Sequence, residues 1–404
     1  MKLLALIVAA SYALATSCPA LPLSPVTRKG TTLLVHGQPW KAIGPNIYWL
    51  GLDENVIPPA GEPYDAATKS SYPTKGRITD ALATVQALGG TMIRSHTLGV
   101  NLGNPLTVMP ELGIINEEAF ESIDWAVYQA GLYGIRLLVP LTDNWDYYHG
   151  GKYNFLRWSG FNLTQKSDSS NPEIQQFYYN QTIVVAFKRY VQRLLTHKNR
   201  YNNLTYAEDP TVFAYETGNE LGGPIFGDMD CPAEWVRNIT SFIKTLAPEK
   251  LILDGTYGVN RTHFDILEID GFSNHYYPIN TVKLEHDLEA VESAERVYFA
   301  GEYSWVGPDA GTNNLSSFFE ILEQSPVVAG DALWSLFGRN LPDCNTFVNH
   351  TDGFTLQYGN PANSNYTDSR IQLIRKHFIA MSKDEDIPAN ASLPAVPCPA
   401  PMLP

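Results

Sequence analysis

Short apolar runs alternate along this chain with longer stretches of helical periodicity. The runs are Ile43 to Leu50, Met92 to His96, Ile135 to Leu141, Val212 to Gly218, Leu251 to Tyr257, Gly271 to Tyr277, Val297 to Trp305 and Ala332 to Phe337. Several are apolar at nearly every position and turn polar only at the C-terminal end. Val212-Phe213-Ala214-Tyr215 before Glu216 and Val297-Tyr298-Phe299-Ala300 before Glu302 are examples. A strand with one wet face alternates, whereas a strand buried on both faces reads as a continuous apolar run, so a parallel sheet is predicted. Between the runs, Thr79 to Leu88, Glu117 to Ala130, Ile174 to Thr196, Glu285 to Glu295, Leu315 to Glu323 and Ser369 to Met381 predict helices. Eight strands alternating with helices predict an α/β fold, a single (β/α)8 barrel. Ahead of it, Thr31 to Val35 and Trp40 to Ile43 flank a turn at Gly37 and predict an N-terminal β-hairpin.

Composition narrows the function classes. The chain has 404 residues, 44% of them hydrophobic, and no linker-like stretch divides it, so one large domain is expected rather than two or three. The formal net charge of −14 argues against nucleic acid or an anionic membrane surface as partner, because both need a basic face. Met1-Lys2, the apolar run Leu3 to Leu14 and the small residues around Ala15 read as a secretory signal over residues 1–17. The catalytic domain is then expected over 18–390 and a proline-rich tail over 391–404, with no greasy end to suggest a lipid anchor. Asn-x-Ser/Thr triplets at Asn162, Asn180, Asn203, Asn238, Asn260, Asn314, Asn349, Asn365 and Asn390 agree with a secreted glycoprotein acting outside the cell. Cys18, Cys231, Cys344 and Cys398 lack the Cys-x-x-Cys spacing of a zinc site. In an oxidising compartment they allow three pairings, of which Cys231 with Cys344 and Cys18 with Cys398 is favoured.

The chemistry lies in two glutamates. Cleavage of a glycosidic bond usually needs one carboxyl to protonate the leaving oxygen and another to attack the anomeric carbon or activate water. In a barrel these belong at the C-terminal ends of strands. Thr217-Gly218-Asn219-Glu220-Leu221 closes the fourth run and Gly301-Glu302-Tyr303-Ser304-Trp305 the seventh. A glutamate after a strand is more often a solvated loop residue, so the signal is the pair rather than either member. Loops rich in aromatic residues and proline follow the first run (Asp53 to Thr74) and the third (Asn144 to Trp158). No Gly-x-Ser-x-Gly, Walker-type, His-Glu-x-x-His or dinucleotide motif occurs, and the histidines show no metal-like spacing. Neither cofactor nor metal is expected, and the partner is a polysaccharide or oligosaccharide acted on by a monomer.

Asn219-Glu220 closing strand four and Gly301-Glu302 closing strand seven resemble clan A of the retaining glycoside hydrolases, family 5 in particular. Gly44 to Leu50, Ile93-Arg94, Asn144-Trp145-Asp146, Asp209 to Glu216, His275-Tyr276-Tyr277 and Trp334 resemble its β-mannanase branch, so similarity runs through most of the mature chain. The resemblance implies that Glu220 is the acid/base, its pKa raised, and that Glu302 is the nucleophile, kept ionised by Arg94 and Tyr277. It implies that Asn219 binds the sugar 2-hydroxyl, that His275 holds the reacting sugar and that Trp334 is its stacking floor. Trp49, Trp145, Trp158 and Trp305 are candidate subsite walls, and His96 and His149 candidate sugar contacts. Ser95 to Gly99, Thr217-Gly218 and Leu221 depart from that branch and touch the substrate more than the reaction. The leading expectation is an endo-β-1,4-mannanase. An exo-acting β-mannosidase or a β-glucanase of the same clan comes second, and an inactive carbohydrate-binding barrel is the reading from another class.

Overall fold

The computed structural model describes residues 23–164, 171–223, 231–307, 309–382 and 393–399. The signal segment, Cys18 and the Asn390 triplet lie outside them. Val26–Lys29 (β1), Thr32–Val35 (β2) and Gln38–Pro39 (β3) form a small antiparallel sheet. The predicted hairpin is present, but its second arm ends at Pro39. Beyond Trp40 the chain leaves the hairpin for the barrel, starting Ala42–Pro45 (β4), because Ala42 and Ile43 are buried and pair with Gly330 and Asp331.

After a short hairpin, Tyr64–Asp65 (β5) with Ser70–Ser71 (β6), the remaining strands are Met92–Arg94 (β7), Arg136–Pro140 (β8), Val212–Glu216 (β9), Leu251–Asp254 (β10), Gly271–Tyr276 (β11), Val297–Ser304 (β12) and Val328–Trp334 (β13). They run parallel in the order β4-β13-β12-β11-β10-β9-β8-β7. Thr91 N–H donates to Ile43 O and Ile47 N–H to Arg94 O, which brings β7 back against β4 and closes the barrel. All eight predicted runs are strands of this barrel.

The helices are Lys75–Leu88 (α1), Phe120–Leu132 (α2), Lys152–Trp158 (α3), Gln176–Tyr179 (α4), Gln181–Leu195 (α5), Ala233–Leu246 (α6), Thr281–Ser293 (α7), Leu315–Gln324 (α8) and Asn365–Ser382 (α9). The single helix predicted from Ile174 to Thr196 is two. Asn180 takes an extended backbone and its side chain accepts from Thr182 N–H, so it caps α5 instead of continuing α4. Helix α6 was missed in the pattern, although Trp235, Val236, Ile239, Thr240 and Ile243 bury one face at helical spacing.

Two apolar layers result. Outside the barrel, helices pack on the strands. Inside its N-terminal end, Met92, Leu138, Phe213, Leu253, Phe299 and Ala329 fill the bore, and Leu33 and Trp40 of the N-terminal segment cover it. Trp40 meets Phe213 edge-on at 5.4 Å. That end is plugged, so the open C-terminal end is left for a site.

Cys344 bonds Cys398 with Cα atoms 5.9 Å apart, so neither favoured pairing is formed; Cys231 is buried and outside any disulfide among the described residues. The reason is the path of the tail. Tyr358 donates to Pro394 O and Arg339 to Val396 O and Pro397 O, and these bonds lay Cys398 against the loop that carries Cys344.

Helix α9 is tied to the sheet by a buried ionic cluster. The two ring nitrogens of His377 lie 2.7 Å from Glu323 and 3.0 Å from Asp331, and its ring stacks on Phe319 at 3.9 Å. Burial pushes its pKa down, but Asp331 and Glu323 outweigh this and hold it above the ordinary histidine value. A raised folded pKa contributes stability that is full below the unfolded value of about 6.5 and is lost as pH rises through the folded value. His377→Asn is therefore expected to lower the melting temperature most below pH 6 and progressively less in alkaline buffer. A deficit independent of pH in parallel thermal melts counts against a charged His377.

Candidate active site

Four strand ends and two loops bring the predicted residues to the open end of the barrel. Arg94, the last residue of β7, is 1% exposed. A guanidinium cannot lose its charge there, so it must be paired. Its Nε donates to Glu216 at 2.7 Å, and one terminal nitrogen donates to Glu302 at 2.8 Å and to Asn46 at 3.0 Å. The other donates to Asn219 at 2.9 Å. One side chain thus joins residues from beside β4, from β9 and the turn after it, and from β12.

Glu302 reaches the cleft through a β-bulge. Asn274 pairs with Ala300 and His275 with Glu302, so Gly301 is the extra residue of β12. A Cβ on Gly301 would meet His275 Nε2 at 2.7 Å, so glycine lets that ring close on the glutamate strand. Glu302 is 6% exposed and accepts from Tyr277 Oη at 3.0 Å as well as from Arg94.

Glu220 stands on the turn after β9 with φ +52°, in the left-handed region that side chains other than glycine seldom enter. The turn is held on both sides. Asn219 N–H donates to Thr142 O, Leu221 N–H to Gly255 O, and Asn144 Nδ2 to Glu220 O at 2.6 Å. The carboxylate is 9% exposed. It lies 2.7 Å from His275 Nδ1 and accepts from Trp145 Nε1 at 2.6 Å. His275 Nδ1 is also 3.6 Å from Glu302.

The three groups titrate as a unit. Burial is the largest influence on Glu220 and pushes it up, but His275, Trp145 and Arg94 outweigh it and hold the carboxyl below its ordinary range. Burial is also largest on Glu302, and there it prevails: with the charge of Glu220 it holds Glu302 above the ordinary value, against His275, Arg94 and Tyr277. Burial lowers His275, but Glu302 and Glu220 raise it above the usual imidazole value. This is the reverse of the order implied by the resemblance. The cause is the direct bond from His275 to Glu220, which the sequence pattern does not show.

The cleft has a volume of about 640 Å³, within the range of small-ligand sites. Of the residues singled out, Asn219, Glu220, His275, Tyr277, Glu302, Trp334, Trp145, His96 and His149 line it, and Arg94 lies directly beneath Glu302. Three tryptophans do not. Trp49 is fully buried under Arg77 with its indole on Leu336 O, and Trp305 is 2% exposed with its indole on Phe354 O. Trp158 packs edge-on against Phe155. Trp49 follows the cleft-lining Tyr48 and Trp305 follows the strand that carries Glu302, so the aromatic pattern alone could not separate wall from core. Tyr48, Glu54, Tyr147, Lys283, His350 and Asp352 also line the cleft and were missed. All but Lys283, which lies in the first turn of α7, were signalled only by their place in loops after strands. Glu220, His275 and Glu302 each offer one atom within 4.8 Å of the others, and His275 and Glu220 are hydrogen-bonded to each other.

Arg94→Ala leaves Glu216 and Glu302 with an uncompensated buried charge and is expected to cost about 3–5 kcal/mol of stability in denaturant titration. Arg94→Met combined with Glu216→Met is expected to recover part of that loss, because Glu302 alone then stays without its cation, and not the order of the site. A double variant as unstable as Arg94→Ala rejects the pairing as the source.

A family model described as GH family 5 beta-mannosidase-like matches residues 24–302. Mannan endo-1,4-beta-mannosidase 1 of Arabidopsis thaliana is 29% identical over 246 residues, 60% of this chain and 53% of that one. The chain spans about half the length of the curated relatives it matches. Among solved structures, the endo-1,4-beta-mannanase from Rhizomucor miehei superposes with a TM-score of 0.68 at 19% identity, over 89% of this chain and 100% of that one. A glycoside hydrolase family 5 mannosidase from the same organism gives 0.64 at 17%, over 89% and 98%. These two share the barrel fold.

Proposed function

The chain belongs to glycoside hydrolase family 5, among its β-mannosidase-like members, and from that premise we propose that it hydrolyses β-mannosidic bonds with retention of configuration. One observation carries the reaction: two buried glutamates at the ends of β9 and β12 have carboxylate oxygens within 4.8 Å of each other. Retaining pairs stand about 5–5.5 Å apart, whereas inverting pairs need about 6.5–9.5 Å to admit a water. The names of the relatives, mannan endo-1,4-beta-mannosidases, supply the sugar that the proposal adopts.

Glu302, held by Arg94 and Tyr277, attacks the anomeric carbon as the glycosidic bond breaks, and Glu220 gives its proton to the leaving oxygen. Water then displaces Glu302 from the glycosyl ester and returns a proton to Glu220. In this reading Asn219 binds the 2-hydroxyl, and Trp334 and His275, which line the cleft with it, hold the reacting ring. Glu220 must be protonated for the first step. Burial already favours that form, and His275 is the main opponent. A sugar hydroxyl that takes His275 away from Glu220 lets burial prevail. The signal segment and the Asn-x-Ser/Thr triplets support action outside the cell. Among the described residues, no helix is long and apolar enough to cross a membrane.

Glu220→Gln is expected to lower kcat roughly 10²–10⁴-fold on polysaccharide with an unchanged melting curve, and Glu302→Gln at least as much with the fold retained. Galactomannan and glucomannan should be cleaved in preference to β-glucans and xylan. Full activity in either variant refutes the catalytic pair, and faster turnover of xylan or β-glucan refutes the sugar. His275→Ala removes the cation that lowers Glu220. The basic limb of the kcat/KM profile, which reports the free enzyme, should move to higher pH. A basic limb that stays in place or moves down excludes this role for His275.

A further inference from the structure

Asp143 is buried at the catalytic end of the barrel and lines the cleft with Asn219 and His149. A buried carboxylate must find partners, and the fold supplies them. The chain beyond β8 runs on beside the chain beyond β9: Asn219 N–H donates to Thr142 O, and Asn144 N–H to Asn219 O. That pairing sets Asp143 directly opposite Asn219. The loop then returns over Asp143, with Lys152 N–H on its carbonyl oxygen at 3.0 Å. A Cβ on Gly151 would meet the same oxygen at 2.6 Å, so glycine lets the loop close there.

Both oxygens of the carboxylate are engaged. Oδ1 accepts from Asn219 Nδ2 at 3.1 Å and from Trp145 N–H at 2.9 Å. Oδ2 lies 3.0 Å from His149 Nε2. His149 is buried, its ring edge-on to Tyr148 at 5.1 Å and its carbonyl held by Leu102 N–H at 2.9 Å. The imidazole therefore fixes the plane of the carboxylate, and the carboxylate fixes one end of the Asn219 amide. Arg94 fixes the other end, donating to Asn219 Oδ1 at 2.9 Å. An amide turned end for end would set its N–H groups against the guanidinium and its carbonyl against the carboxylate. Cation and anion between them select one orientation.

We propose that Asp143, braced by His149, is a positioning residue that holds Asn219 with its second Nδ2 hydrogen toward the 2-hydroxyl of the reacting sugar. The inference rests on Glu220 and Glu302 as the catalytic pair. Hydrogen bonds to that hydroxyl strengthen as the anomeric carbon takes on positive charge, so their benefit falls in the transition state rather than in binding. Arg94 alone leaves the amide able to pivot about its oxygen, and Asp143 removes that freedom. The same carboxylate holds the backbone of Trp145, whose indole donates to Glu220 at 2.6 Å. That second contact acts alike on sugars with and without a 2-hydroxyl, so comparing the two isolates Asn219.

The test uses an aryl β-mannobioside whose aryl-bearing ring either has or lacks its 2-hydroxyl, hydrolysed by the full chain and its variants. The ratio of the two kcat/KM values measures what the hydroxyl contributes, and the intrinsic reactivities of the substrates cancel between variants. In Asp143→Ala the ratio is expected to fall about tenfold or more, through kcat rather than KM. Asp143→Asn keeps an oxygen for Asn219 and Trp145 and should retain most of the ratio. His149→Phe keeps a ring in the same packing and should lower it about threefold or more, which carries the test if Asp143→Ala does not fold. A carboxylate needed only for the fold would lower both substrates alike, so an unchanged ratio in the folded variants overturns the positioning role and leaves the reaction standing. No cleavage of any β-mannoside by the unaltered chain overturns the reaction itself and the inference with it.

Discussion

The burial of one guanidinium organises this site. Arg94 cannot be neutralised, so its folded environment must supply acceptors in the geometry of its fork. Glu216, Glu302, Asn46 and Asn219 are those acceptors, drawn from four parts of the barrel rim. Lysine would bring a point charge without the planar reach to hold all four. The same bonds that satisfy Arg94 orient Glu302 and Asn219 toward the cleft. Stability and function share these contacts.

Around that fixed charge, two departures from regular backbone aim the carboxylates. An extra residue at Gly301 shifts Glu302 into register with His275. A left-handed backbone at Glu220 turns its side chain inward. Such conformations cost of order 1–3 kcal/mol and persist only where the surroundings over-determine them. Here Thr142, Asn144 and Gly255 do so from the neighbouring strand ends. The rigid barrel below, plugged by Leu33 and Trp40, gives these turns a frame that does not yield.

The electrostatics follow from how close these devices bring the groups. Two carboxylates and an imidazole share one small volume, so the charge of each depends on the other two. Burial alone would raise both glutamates. The hydrogen bond from His275 breaks the symmetry and lowers Glu220. A protonation order inferred residue by residue fails here because it is a property of the trio.

The barrel was legible because strands buried on both faces leave apolar runs, and each run overlaps a strand, although several continue past it, the first from Pro45 on to Leu50. The two glutamates were legible because each closes such a run within a recognisable motif. The helix from Ile174 to Thr196 was misread because the capping of Asn180 competes with the helix at a position where hydrophobic spacing is blind. The disulfide was misread because cysteine spacing carries no information about the path of a tail. Local pattern along the sequence therefore determined the strands, their order and the two glutamates proposed as the catalytic pair, since those depend on which residues must leave water. Only tertiary structure decided that Trp49 and Trp305 are core while Tyr48, Glu54 and His350 are wall, and that His275 bonds Glu220. Those outcomes depend on which loops meet across the barrel mouth, and contacts between residues far apart in the chain leave no periodic trace in it.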